Sequence, residues 1–302
     1  MSFISESVWL YVDSITKGEI IMNDTVELKK LVKDTYSQIA EQSKDQNAAS
    51  CCGAGGCSTI DYAVFAEDYS KLSGYHQDAD LGLGCGLPTE FAQIKPGDTV
   101  LDLGSGAGND CFIARAITGE TGKVIGLDMT PTMIEKARNN ADALGFNNVE
   151  FRLGDIEHMP IVANKIDVIV SNCVLNLVPD KQQAFKEMFR VLKSGGHFSV
   201  SDIVLDGNLP DQLKNAAEMY AGCVSGAIQK TDYMQQLSDA GFVDLIIQKE
   251  KKINLPDDIL SDYLSVDEIV EFKNGNDAIL SITVYGKKPE NSSCSTGDVS
   301  CC

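Results

Sequence analysis

The sequence predicts an α/β chain built on a doubly wound, Rossmann-like sheet, with a small α+β domain at its C-terminus. Three observations carry this. Short, β-branched apolar runs recur at "DTVLDLG", "KVIGLD", "NVEFRLGD", "KIDVIVSN" and "GGHFSVSDI". Helical patterns fall between several of them, over 110–118, 131–145 and 180–192, as in a parallel sheet covered by helices on both faces. Beyond "DGNLPDQ" the alternation gives way to two helical patterns and then strand-like runs.

Four segments follow from these changes of character. Residues 1–59 form an N-terminal helical segment and a cysteine-bearing loop. Residues 60–205 form the sheet domain, 206–288 the α+β domain, and 289–302 a disordered tail. In the first segment, "DTVELKKLVKDTYSQIA" spaces Val26, Leu28, Leu31, Val32, Tyr36 and Ile39 as an amphipathic helix from Asp24 to about Lys44, with Asp24 and Thr25 as caps. "AASCCGAGGCST" is too small and polar to pack, and "IDYAVFAEDYSKL" is expected to return to helix. "GYHQDADLGLGCGLP" reads as a second, ordered loop. In the α+β domain, helices are expected over about 210–222 and 231–240, and two strand-like runs are expected to flank the turn signal "NGND". "PENSSCSTGDVSCC" has no hydrophobic pattern.

The chain has 302 residues, 43% of them apolar, enough for one large domain with an appendage, or two. Forty-four acids against 25 bases give a formal charge of −19. Phosphate backbones and anionic lipid would be repelled, so neither nucleic acid nor membrane is an expected partner. No apolar run approaches membrane-spanning length, and "MSFISESVWLYVDSITKGE" lacks a basic start and a long apolar stretch. A soluble, cytoplasmic chain is expected, with its ten cysteines mostly reduced. That directs attention to thiol chemistry.

The turn after the first strand, "LDLGSGAGND", holds Gly104, Gly106 and Gly108 before a helix that begins near Asn109. Such glycines let a nucleotide-like ligand lie against bare peptide N–H groups at a helix N-terminus. The spacing is G-x-G-x-G, not the G-x-G-x-x-G of a dinucleotide fingerprint. Asp128 ends the second strand, where a carboxylate commonly accepts ribose hydroxyls, unless it merely caps the following helix. Asp155, Ile156 and Glu157 end the third, suited to framing an adenine. Together these motifs resemble the class I S-adenosylmethionine-dependent methyltransferases. The resemblance implies S-adenosylmethionine as cofactor and a binding set of Asp102, Gly104, Ser105, Gly106, Gly108, Asn109, Asp128, Met129, Ile156, Glu157 and Asn172.

Cys173 falls just past the fourth strand, on the side where such sheets bind ligands. Cys85 stands between glycines in the loop before the first strand, and Cys223 follows the first helical pattern after the last core strand. Cys111, inside the first crossover helix, reads as a small buried hydrophobe. "GLGCGLP", "SNCVLNLVPDKQQ" and "AGCVSGA", in this order around a methyltransferase core, closely resemble the arsenite methyltransferases from about residue 26 to residue 287. By that resemblance Cys85, Cys173 and Cys223 are the thiolates that bind trivalent arsenic, a metalloid suited to soft sulfur ligands. It also implies methylated arsenicals as products. A thiol of the upstream loop, Cys51, Cys52 or Cys57, would then close a disulfide with Cys85, and thioredoxin or glutathione would reopen it. The tail adds Cys294, Cys301 and Cys302, with no assigned role.

Two other readings compete. A methyltransferase of a small hydrophobic metabolite, of quinone or sterol type, keeps the cofactor site and leaves the three thiols unexplained. A zinc- or copper-sequestering protein would use the cysteine clusters, but C-C-x4-C lacks the usual C-x2-C pairs, and His76, His158 and His197 all lie away from them. His158 and His197 are expected to be structural, since an arsenic lone pair needs no general base.

Overall fold

The computed structural model describes residues 23–42, 67–208, 210, 227–254, 257–261, 264–275 and 277–290. In chain order its elements are α1 (Asn23–Ala40), α2 (Pro88–Phe91), β1 (Thr99–Leu103), α3 (Asn109–Thr118), β2 (Lys123–Asp128), α4 (Pro131–Ala143), β3 (Val149–Leu153), β4 (Ile166–Asn172), α5 (Lys181–Val191), β5 (Leu192–Asp206), α6 (Lys230–Asp239), β6 (Val243–Lys252), α7 (Asp257–Ser261), α8 (Val266–Asn274) and β7 (Ala278–Lys287). Seven strands form one sheet in the order β3-β2-β1-β4-β5-β7-β6. The first five run parallel, β7 lies antiparallel to β5, and β6 antiparallel to β7.

Alternation along β1 explains how the sheet is covered. Leu101 and Leu103 belong to a cluster with Ile169, Phe185, Met188, Phe198 and Tyr233 on one face. Val100 belongs to another with Val124, Val168, Phe112 and Ile134 on the other. All four residues of β1 from Val100 to Leu103 are buried, so the strand reads as a continuous run and lacks a polar face. The order reverses between β1 and β4, which puts the turns after both strands at one carboxyl edge, where such sheets take ligands.

The expected core strands and the helices between them are all present. The α+β domain is different. Its two strands do not form a sheet of their own; β7 pairs with β5 over His197–Asp206 and carries β6 at its outer edge. The reason lies in "AILSITV", which is buried at every position and needs cover on both faces. β5 offers it the edge that faces away from β4. The run before "NGND", expected as strand, is the helix α8. Ser265 caps it by accepting from the Glu268 N–H, while the Glu268 carboxylate accepts from the Ser265 N–H, a capping box written in the sequence as S-x-x-E. Residues 67–72, expected to finish a helix, form turns. The helix expected over 210–222, most of the loop and helix expected over 45–66, and the tail from 291 lie outside the described residues. Among those described, no helix is long and apolar enough to cross a membrane.

Asp202 of β5 is fully buried, and Tyr233 of α6 donates its hydroxyl to it at 2.8 Å. Burial pushes the carboxyl from 3.8 up to about 7, against the opposing effects of Tyr233 and Lys181. Between these values the folded chain keeps a proton that the unfolded chain has lost, so stability falls as pH rises through that window. Asp202→Asn should remove this component. In urea unfolding under reducing conditions, the loss of stability from pH 5 to pH 8 should shrink in the variant by on the order of 1 kcal/mol or more. An unchanged difference between the two pH values would refute the assignment.

Candidate active site

The carboxyl edge opens into a cavity of about 1100 Å³, its mouth included, lined from the turns after β1, β2, β3 and β4 and from α1. The chain turns sharply after β1 at Gly104, where φ is +68°. A Cβ there would lie 2.4 Å from Val174 Cγ2, so only glycine fits. Gly106, at φ +50°, has nothing within 4 Å of its Cβ position and presents bare backbone to the cavity. α3 begins directly afterwards, and Gly108 at its N-cap offers no side chain to its first N–H groups. Ser105 Oγ and Asn109 Oδ1, both from cavity-lining residues, are buried without a hydrogen-bond partner. Orphaned polar atoms beside an open glycine turn are what a polar ligand satisfies.

Asp128 is held by two backbone donors, Gly106 N–H at 3.0 Å and Thr130 N–H at 2.8 Å. Of the expected cofactor residues, Asp102, Gly104, Ser105, Gly106, Asn109, Asp128, Met129, Ile156 and Asn172 all line the cavity. Gly108 and Glu157 do not. Gly108 instead admits Phe112 and Phe151, each 2.9 Å from where its Cβ would be. The Glu157 carboxylate accepts from the Asp180 N–H at 2.9 Å and from the Lys29 ammonium, and so faces protein.

Lys29 is the residue that sequence reasoning missed. Its ammonium also bonds Asp155 at 2.7 Å, which fastens α1 to the turn after β3, and Lys29, Val32 and Tyr36 form one wall of the cavity. Helical periodicity marks α1 as amphipathic but does not say what its apolar face covers. Asp155, Glu157 and His158 bring three possible metal-ligand atoms within 4.8 Å of one another, but the Lys29 ammonium is already paired with both carboxylates. His158 is exposed, and His197 Nε2 lies 2.7 Å from the Ala92 carbonyl oxygen. Neither lines the cavity.

The cavity is acidic. Asp80, Asp102, Asp110 and Asp128 line it. Burial, reinforced by Asp110, holds Asp102 well above the ordinary carboxylate range. Burial pushes Asp110 up to about 6, although Asn172, Tyr69 and Thr89 donate to it. Asp128 is raised by burial as well, against hydrogen bonds from the backbone of Thr130, Gly106 and Met129 and from the Thr130 side chain. Such a cluster favours a cationic ligand, which would draw these groups back to their ionised forms.

At the end of β4, Cys173 has a left-handed backbone, φ +57°, a conformation that a non-glycine residue adopts at some cost. Its N–H donates to the Ser201 carbonyl at 2.8 Å. Cys85 is joined to it in a disulfide with Cα atoms 5.8 Å apart, within the ordinary range for such a bond. Two of the three expected arsenic ligands are therefore adjacent. They are oxidised, however, where reduced thiols were expected, and the partner of Cys85 is Cys173 instead of a loop thiol. Cys51, Cys52, Cys57 and Cys223 lie outside the described residues. Cys111 is fully buried and points its thiol at Asp102 Oδ2, 3.3 Å away.

Residues 94–241 match the model of a methyltransferase domain. An arsenite methyltransferase of Halobacterium salinarum is 38% identical over 279 residues, 88% of this chain and 68% of that protein. One from Aquipseudomonas alcaligenes is 32% identical over 77% of this chain and 67% of its own length. The crystal structure of an arsenic(III) S-adenosylmethionine methyltransferase from Chlamydomonas reinhardtii superposes with a TM-score of 0.57 at 31% identity, covering 70% of this chain and 68% of that one. A ubiquinone/menaquinone C-methyltransferase of Haemophilus ducreyi, by contrast, matches only 35% of this chain, at 37% identity. Taken with the glycine turn, the acidic cavity and the paired cysteines at its edge, these likenesses settle the family: the chain is a member of the S-adenosylmethionine-dependent arsenite methyltransferases.

Proposed function

We propose that the chain methylates trivalent arsenic held by cysteine thiolates, as a detoxifying reaction. The observation that carries this reading is the pairing of Cys85 with Cys173 where Cys173 lines the cavity. A thiol pair beside a cavity for a sulfonium has no role in methylating a quinone or sterol.

The disulfide between Cys85 and Cys173 is the oxidised form of the pair. Two electrons from an external thiol, of the thioredoxin or glutathione kind, open it to two thiols. Each thiol then replaces a hydroxyl on arsenite: an As–S bond forms, and the thiol proton leaves with the hydroxide as water. Cys223 is the third ligand by the family pattern, completing a pyramid whose lone pair points away from the sulfurs. Gly104, Ser105, Gly106, Asn109 and Asp128 are the residues that would hold S-adenosylmethionine, which supplies an electrophilic methyl group when bound. The chain's part is orientation and exclusion of water: α1 walls the cavity, and the turn after β4 presents Cys173 to it. Arsenic leaves each transfer pentavalent. Two thiolates restore its lone pair by giving up two electrons and joining as a disulfide. Cys51, Cys52 and Cys57 are the candidates to join Cys85 in that step.

Serine at Cys85, Cys173 or Cys223 should lower arsenic methylation on the order of 100-fold or more, with cofactor affinity unchanged. Incubation with arsenite, S-adenosylmethionine and a thiol reductant, followed by arsenic speciation, measures this. Full activity in all three variants would overturn the proposal and favour a metabolite substrate.

A second expectation follows from Asp110, whose carboxyl sits at about 6. A sulfonium binds the ionised carboxylate better, so affinity for S-adenosylmethionine should rise with pH through about 6. Well below that value the change approaches about tenfold per pH unit for one linked proton. S-adenosylhomocysteine, lacking the sulfonium charge, should show a shallower slope. Calorimetric titration of both ligands from pH 5 to 8 tests this, and equal slopes would exclude the electrostatic account.

A further inference from the structure

Cys85 is gripped through both of its peptide groups. Its N–H donates to Asn172 Oδ1 at 3.1 Å, and its carbonyl accepts from Ser281 Oγ at 2.8 Å. Asn172 also donates to the Gly86 carbonyl at 2.9 Å and to the Tyr69 hydroxyl oxygen. That hydroxyl lies 2.9 Å from the Gly86 carbonyl oxygen and 3.1 Å from Asp110 Oδ2. The amide of Asn172 thus directs its N–H groups at the loop and the loop's supports, even though the residue borders the cavity. Gly86 lets the loop lie flat on the sheet, because a Cβ there would come 2.4 Å from Ser201 Oγ. Ser201 and Thr283 share a hydrogen bond of 2.9 Å beneath it. Ser281 and Thr283 are both buried and both come from β7.

We infer that Asn172 and Ser281 are positioning residues for Cys85. They hold its backbone so that its sulfur still faces Cys173 after the disulfide opens, and arsenic meets two thiols already at bridging distance. The inference rests on the arsenic-thiolate reading of this pair. While the S–S bond is intact, the loop is tethered whether or not the clamp is present. Loss of the clamp therefore falls on the dithiol form, whose loop gains freedom, and both disulfide closure and arsenic binding must then order it again.

The test uses the full chain equilibrated in glutathione buffers, with the joined fraction of Cys85 and Cys173 read by alkylation and peptide mass. Ser281→Ala removes one buried hydrogen bond and should shift the exchange equilibrium toward the dithiol by about fivefold. It should weaken arsenite binding, measured without cofactor, by a similar factor. Ser281→Thr, which keeps the hydroxyl, should restore both. Ser199→Ala is the control: Ser199 is a buried hydroxyl of β5 whose partner is Gln248 at 3.5 Å, so its loss should lower the melting temperature without moving the exchange. An unmoved equilibrium in Ser281→Ala, or an equal shift in Ser199→Ala, would overturn the clamp. A wild-type chain that binds no arsenite, with the Ser281→Ala shift still present, would refute the arsenic reading and leave the clamp standing.

Discussion

The absence of a side chain at Gly104 is the constraint on which the rest of the site depends. Val174, the residue after Cys173, occupies the space that a Cβ at 104 would need. The turn after β1 and the turn after β4 therefore lie in van der Waals contact, and Ser171 reinforces this by donating its hydroxyl to the Leu103 carbonyl at 3.1 Å. The first turn presents bare backbone to a cofactor, and the second carries a thiol. Bringing a methyl donor and its acceptor together requires no large motion of the sheet, because β1 and β4 are neighbours in register from Val100–Val168 to Leu103–Ser171. The order reversal in the sheet becomes a chemical juxtaposition only because one position in the turn is glycine.

Electrostatics acts on the same small volume. Burying several carboxylates in one cavity is unfavourable unless they take up protons or meet a cation, and the raised Asp102, Asp110 and Asp128 show that strain in the free chain. A cationic sulfonium relieves it, whereas a neutral thioether does so less. On the proposed reading, the charge of the cavity favours the sulfonium of the substrate over the thioether of the product. Asp110 extends this influence: it accepts from Tyr69 and Asn172, the residues that support the Cys85 loop. The cofactor cavity and the thiol loop thus share a hydrogen-bonded wall.

What was legible in the sequence was what depends on local pattern. β-branched runs that are buried on both faces, helices of 3.6-residue period and a glycine turn at a strand end leave strong signals, and the parallel half of the sheet follows from them. Cys85 stood out because flanking glycines leave a thiol no apolar role, whereas Cys173 at a strand end reads equally well as a small buried hydrophobe until the resemblance singles it out. Partner choice was not legible. Lys29 reaches Asp155 and Glu157 across more than a hundred residues, and nothing in "DIEHMP" reveals whether an acid faces a ligand or a lysine. The C-terminal strands were recognised in part: "AILSITV" marks a buried strand but does not say which strand it pairs with, and its partner is β5, on the edge away from β4. α8 was misread because Val266 and Val270 are exposed while Ile269 and Phe272 are only half-buried, so its apolar residues spell no clean buried face.

β5 also bears on the third ligand. Ser201 sits beside Cys173, and β5 continues past it to Asp206. There Leu205 donates its N–H to the Ile228 carbonyl at 3.0 Å, and Gln229 donates to the Gly207 carbonyl at 3.2 Å. The segment that contains Cys223 therefore departs from and returns to the carboxyl end of β5, the same edge that carries Cys173. The described chain on either side of that segment is thus held at the edge where the Ser201 carbonyl accepts from the Cys173 N–H, so the topology returns the chain to the strand end beside the Cys85–Cys173 pair.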